Sequence, residues 1–83
     1  MPNYIEPDYI KPDHIKIATR WSQAHAANNY AKWHALMTWM AAESMYATLN
    51  NLPDVADYMS ALSDRARRHV IDLQPVDDRR IAG

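Results

Sequence analysis

The chain has no cysteine, only one glycine, and charges that almost cancel. Each scarcity removes a class of function. Without cysteine there can be no disulfide framework, no zinc ribbon and no thiol nucleophile. Phosphate-cradling loops, dinucleotide fingerprints and the strained elbow around a nucleophilic serine all need glycine where the backbone approaches a ligand. The single glycine is Gly83, at the very end, so none of them can be built. Nine Lys and Arg stand against ten Asp and Glu, a net charge of −1, whereas a dedicated nucleic-acid binder carries a clear basic excess. Nucleic acid is therefore not an expected partner. The opening, MPNYIEPDYIKPD, is acidic and proline-rich, unlike the basic-then-apolar start of a signal peptide. The most apolar segment carries Lys32, His34 and Glu43, which make bilayer insertion costly. A cytoplasmic chain with no membrane association is expected.

What remains is helix. With 83 residues, one domain with a modest core is expected. The segment 30–49, YAKWHALMTWMAAESMYATL, has neither Gly nor Pro and is filled with strong helix formers. At about 100° per residue it shows two apolar faces. Leu36, Ala47, Met40, Trp33, Met37 and Ala41 share one; Met45, Leu49, Ala31, Ala42, Ala35, Tyr46 and Trp39 share the other. Lys32 and Glu43 lie on one line between them, and His34 and Thr38 mark the opposite seam. A helix apolar nearly all round is a buried one, and two faces require two sets of neighbours.

On either side, two further helices are expected. Before the first, Tyr4-Ile5-Glu6-Pro7-Asp8 is repeated as Tyr9-Ile10-Lys11-Pro12-Asp13, and residues preceding proline avoid the helical region. Residues 1–11 thus read as an extended arm, which either packs its Tyr and Ile on the helices or offers Tyr4 and Tyr9 to a partner. The first helix, expected over 12–27, has an apolar arc of Ala24, Ile17, Ile10, Trp21 and Ala18, flanked by His14 and His25. Asn28-Asn29 favours a break there, with Asn29 as the next N-cap. Opposing a break, Ile17, Trp21, Ala24, Asn28, Ala31, Ala35, Thr38, Ala42, Met45, Leu49 and Leu52 alternate four and three apart, a heptad seam running through both segments. The central helix is expected over 29–50. Pro53 and Asp54 start a third, expected over 53–73, striped by Val55, Met59, Leu62, Ala66, Val70 and Leu73. On its outer side Asp64, Arg68 and Asp72 are spaced to pair. Residues 74–83 read as a polar tail. The expected fold is all-α: a small three-helix antiparallel bundle, or one long helix with a shorter one returning, behind an extended Pro-containing N-terminal arm.

Chemistry is hard to find in this layout. His14, His25, His34 and His69 are scattered, with no pair four apart, so no metal and no cofactor are expected. A fold would have to gather His14 and His25 with an acid to make a metal site. Ser22, Ser44, Ser60 and Ser63 all fall inside helices, and no catalytic residue is assigned. Arg65, Arg67, Arg68 and His69 form the one basic run, which reads as a solvated face or as an anchor for an acidic protein surface. Trp, Tyr and Met are enriched in interface cores. Tyr4, Tyr9, Trp21, Trp39, Tyr46, Arg65 and Arg68 are therefore the candidate partner-binding residues. The sequence points to a non-catalytic protein–protein interaction module that self-associates through its central helix and serves as an adaptor or as an inhibitor of a larger complex. Small cysteine-free, motif-free helical proteins of this kind are common among phage and mobile-element products. The alternatives are a nucleic-acid binder using Arg65, Arg67 and Arg68, and a ligand or metal site lined by Trp33, His34, Met37 and Met40.

Overall fold

The computed structural model describes residues 11–74 and holds three helices: α1 (His14–Ala27), α2 (Tyr30–Leu49) and α3 (Pro53–Leu73). No strand occurs among the described residues, and the fold is an all-α three-helix bundle. The N-terminal residues that carry Tyr4 and Tyr9, and the tail from residue 75 onward, lie outside the described residues.

Each boundary has a local cause. The first helix starts at His14 instead of Pro12 because Asp13 acts as its N-cap: the carboxylate accepts from the Lys16 backbone N–H at 2.7 Å. It ends where Asn28 takes the left-handed conformation (φ 46, ψ 48) and its N–H bonds back to the Ala24 carbonyl at 2.7 Å. Asn29 is extended, and its side chain accepts from the Lys32 N–H at 2.9 Å, opening α2. Two adjacent asparagines thus do opposite jobs, one closing a helix and one starting the next. The single long helix does not form. At the far end of α2, Asn51 (φ 60) is the left-handed residue. The Leu52 N–H reaches the Ala47 carbonyl at 2.9 Å and the Asn51 N–H reaches Thr48 at 3.2 Å, the double closure of a Schellman motif. Pro53 then occupies the first helical position of α3, where a missing N–H costs nothing.

The hairpin of α2 and α3 is the tight part of the molecule. Small residues face each other: Ala47, Ala56 and Ala66 are buried, and they let the backbones approach closely. Two serines use that closeness. Ser44 Oγ donates to the Ala56 carbonyl at 2.8 Å, and Ser63 Oγ donates to the Met37 carbonyl at 3.1 Å, stapling the helices at two levels. Trp33, Met40 and Met59 are the fully buried large side chains between them. Leu36 and Ala47 complete the inner face of α2, while Ala41, at its margin, is exposed. On α3, Met59, Ala66 and Val70 of the expected stripe are buried, and Val55, Leu62 and Leu73 are half-buried.

The first helix is held differently. It folds back along α2, with Lys16 and Arg20 reaching Trp39, and with Trp21 and His25 reaching Trp33. Among the described residues of its arc, Ile17 and Ala24 are buried, Trp21 is half-buried and Ala18 is exposed; Ile10 lies outside the described residues. No Cα of α1 comes within 8 Å of one in α3. The gap is bridged by rings: His14 meets Tyr58 edge-on at 6.1 Å, Trp21 meets His69 at 6.3 Å, and His25 meets His69 at 5.4 Å. A helix with two buried aliphatic positions contributes a few kcal/mol of apolar burial at about 25 cal/mol per Å². This makes α1 the most weakly attached of the three.

Candidate interaction surfaces

Four rings meet where α1, α2 and α3 converge. The His69 imidazole stacks flat on the buried Trp33 indole, with centroids 3.9 Å apart and planes 7° from parallel. Trp21 and His25, one turn apart on α1, both set their edges against Trp33, at 5.2 and 5.1 Å. Edge-to-face and offset-stacked pairs each add about 0.5–1.5 kcal/mol beyond area burial. The Trp33 indole N–H nevertheless finds no hydrogen-bond partner. The sequence placed His25 and His69 at the margins of two apolar arcs. It carried no sign that both would meet on one tryptophan, because that depends on how two helices are rotated against a third.

Beside this cluster, Trp21 of α1 and Asp64, Arg65, Arg68 and His69 of α3 line an open cleft of about 500 Å³. Arg65 and Arg68 are exposed and form no ion pair with any described residue. The expected pairing of Arg68 with Asp64 and Asp72 along the helix is not formed. Exposed pairs of this kind are worth at most about 1 kcal/mol and do not overcome the entropy of two free side chains. Trp21, Arg65 and Arg68, three of the candidate partner-binding residues, are thus brought together. The cleft offers two guanidinium forks beside an indole edge, chemistry suited to a carboxylate.

Trp39 and Tyr46 lie elsewhere, on α2. The Arg20 guanidinium sits 4.4 Å from the Trp39 ring centroid and the Lys16 ammonium 5.9 Å, so α1 covers part of the indole. Beside it runs the outer face of α2, directed away from α3. Ala31, Ala35, Thr38, Met45 and Leu49 on this face are exposed and Ala42 is half-buried. Met45 is 61% exposed, Tyr46 45% and Leu49 42%. The Thr38 hydroxyl donates to the His34 carbonyl at 2.9 Å, which satisfies it within the helix.

The remaining candidates do not assemble. His14 packs on Tyr58 at one end of α1 while His25 packs on Trp33 and His69 at the other, so the His14–His25 metal pair does not form. Among the described residues no group of three His, Asp or Glu is placed to hold a metal ion. Trp33 and Met40 are sealed in the core, whereas His34 is exposed and stacks on Tyr30 at 5.5 Å. The Trp33, His34, Met37 and Met40 lining therefore belongs to two different sides of α2. No helix among the described residues is long and apolar enough to cross a membrane. No family model, curated protein or solved structure matches the chain.

Proposed function

We propose that this protein is a non-catalytic protein–protein interaction module that self-associates through the outer face of α2. The observation that carries this reading is the exposure of Met45 and Leu49, one turn apart on the side of α2 turned away from α3. Exposed single hydrophobic side chains are ordinary; a continuous strip along one helix is what interfaces use. Ala31, Ala35, Thr38 and Ala42 extend the strip over the full length of the helix without an acid or base. Trp39 and Tyr46 flank it with the residue types most common in binding hot spots. The assembled module would act as an adaptor or as an inhibitor occluding a larger complex, with Trp21, Arg65 and Arg68 offering a second, carboxylate-binding contact between α1 and α3.

Light scattering and sedimentation equilibrium on the purified chain test the reading. The native protein should form more than one chain per particle, and Met45→Glu should give a single chain with unchanged helical content. Native protein that stays a lone chain over a wide concentration range would remove the basis for self-association.

A further inference from the structure

The outer strip of α2 is graded along its length, and the gradient says how a second copy would sit. Its seam residues are Ala31, Ala35, Thr38, Ala42, Met45 and Leu49, spaced four, three, four, three and four apart. That spacing is the a/d repeat of a two-helix coiled coil. The small side chains lie in the N-terminal half and the large ones in the C-terminal half. Turned end for end about a twofold axis beside position 40, the same strip becomes its own complement. Leu49 then faces Ala31 of the second copy, Met45 faces Ala35, and Thr38 faces Ala42. We propose that two copies of this chain pair in this way, α2 against α2 and antiparallel, with the twofold axis passing beside the middle of the helix. This rests on the self-association reading above and adds the register and direction of the pair.

A parallel pairing of the same strip would do worse. It would crowd Leu49 against Leu49 and Met45 against Met45, and leave Ala31 and Ala35 facing one another across a gap. Overpacking at one end and a void at the other both cost stability. An antiparallel pair sets a large side chain against a small one in each outer layer and Thr38 against Ala42 in the two central ones, and its self-complementarity is that of a twofold isologous interface.

The flanks agree with this register. No acid or base lies in the seam. On one flank Lys32 comes opposite Tyr46 of the second copy and Trp39 opposite Trp39; on the other His34 comes opposite Thr48. No like-charged pair on α2 is brought face to face. The two threonine hydroxyls near the contact are already bonded within their own helix, Thr38 to the His34 carbonyl at 2.9 Å and Thr48 to the Ser44 carbonyl at 3.0 Å. Burying these two therefore leaves neither hydroxyl unpaired. The opposite side of α2 is taken by α3, through the Ser44 and Ser63 staples. On the Trp39 flank α1 borders the strip, with Arg20 and Lys16 over the indole and Ala35 in a cleft shared with Arg20 and Gln23, so a second copy meets these α1 side chains as well as α2.

Because the chain has no cysteine of its own, introduced thiols report the register directly. Full-length Ala35→Cys and Met45→Cys proteins are oxidised separately and as a mixture, alongside sedimentation of the native chain. Antiparallel pairing brings 35 against 45 and leaves like positions about 15 Å apart along the axis, beyond disulfide reach. The expected result is a mixed disulfide in the combined sample and little or none in either protein alone. A homodisulfide of Ala35→Cys with itself would mean parallel pairing and would overturn the proposal while leaving self-association intact. A dimer by sedimentation with no disulfide in any sample would place the contact on another face and overturn it as well. A monomeric native chain would remove both. A second set of variants works without oxidation. Ala35→Met should weaken dimerisation about tenfold or more by opposing two large side chains. Adding Met45→Ala should restore most of the loss, because the large–small order is merely reversed. Failure of that rescue, with the single variant folded, counts against the register.

Discussion

The turn between α1 and α2 is set by two adjacent side chains, and replacing both should convert a bend into a straight helix. Asn28 is held at φ 46, ψ 48, and Asn29 caps α2 through the Lys32 N–H at 2.9 Å. An alanine in the left-handed region costs about 1–2 kcal/mol, and loss of the N-cap about 1 kcal/mol more. In a continuous helix each Asn→Ala change adds about 0.5 kcal/mol in favour of the straight form. Asn28→Ala with Asn29→Ala therefore tilts the balance by about 3–4 kcal/mol. What resists is the docking of α1: full burial of Ile17, worth about 2 kcal/mol, and the half-buried Trp21 with its ring contacts, worth a similar amount. The two sides nearly match, so the double variant should populate the straight form measurably. Adding Ile17→Ala, at a further 2 kcal/mol or so, should make it dominant. Nitroxide labels at His14→Cys and Tyr58→Cys read this out by pulsed electron resonance. The two native rings lie 6.1 Å apart. In the straight form the first turn of α1 would project about 45 Å from the α2 residues that pack beside Tyr58. A triple variant that keeps a single short distance would show that the asparagines are not what bends the chain.

Other perturbations follow from the same contacts. Trp33 is fully buried with an unpartnered indole N–H, so Trp33→Phe gives up volume but also removes an orphan donor worth about 1–3 kcal/mol. Its unfolding free energy in urea should stay within about 1–2 kcal/mol of native, whereas Trp33→Ala should lose about 3–5 kcal/mol. Ser63→Ala and Ser44→Ala each remove one hydrogen bond between α2 and α3, and each should lower stability by about 1 kcal/mol in the same assay. Arg20→Ala uncovers Trp39; hydrogen exchange should then show faster exchange at α1 amides with little change in α2 and α3.

Much of this protein could be read before any coordinates. Proline acts through a backbone dihedral that depends on the residue alone, so Asn51 to Pro53 marks a helix boundary, while Asn28-Asn29 favours one against a heptad seam that continues through it. The inner stripes of α2 and α3 were equally legible, because burial follows a 3.6-residue period that survives into the fold. The starting residue of α1 was not: Pro12 fits a first turn, and only the cap made by the Asp13 carboxylate settles where the helix begins.

The decisive step belonged to tertiary structure. A single four-three alternation runs from Ile17 through Leu49, and although Asn28-Asn29 favours a break in it, nothing in the letters says where the two halves come to rest. The left-handed turn at Asn28 folds Ile17 and Ala24 into the core, while Ala35, Met45 and Leu49 are left outside. His25 and His69 meet on Trp33 for the same reason. Periodicity is a property of one helix; which face becomes core and which becomes surface depends on where the neighbouring helices come to rest.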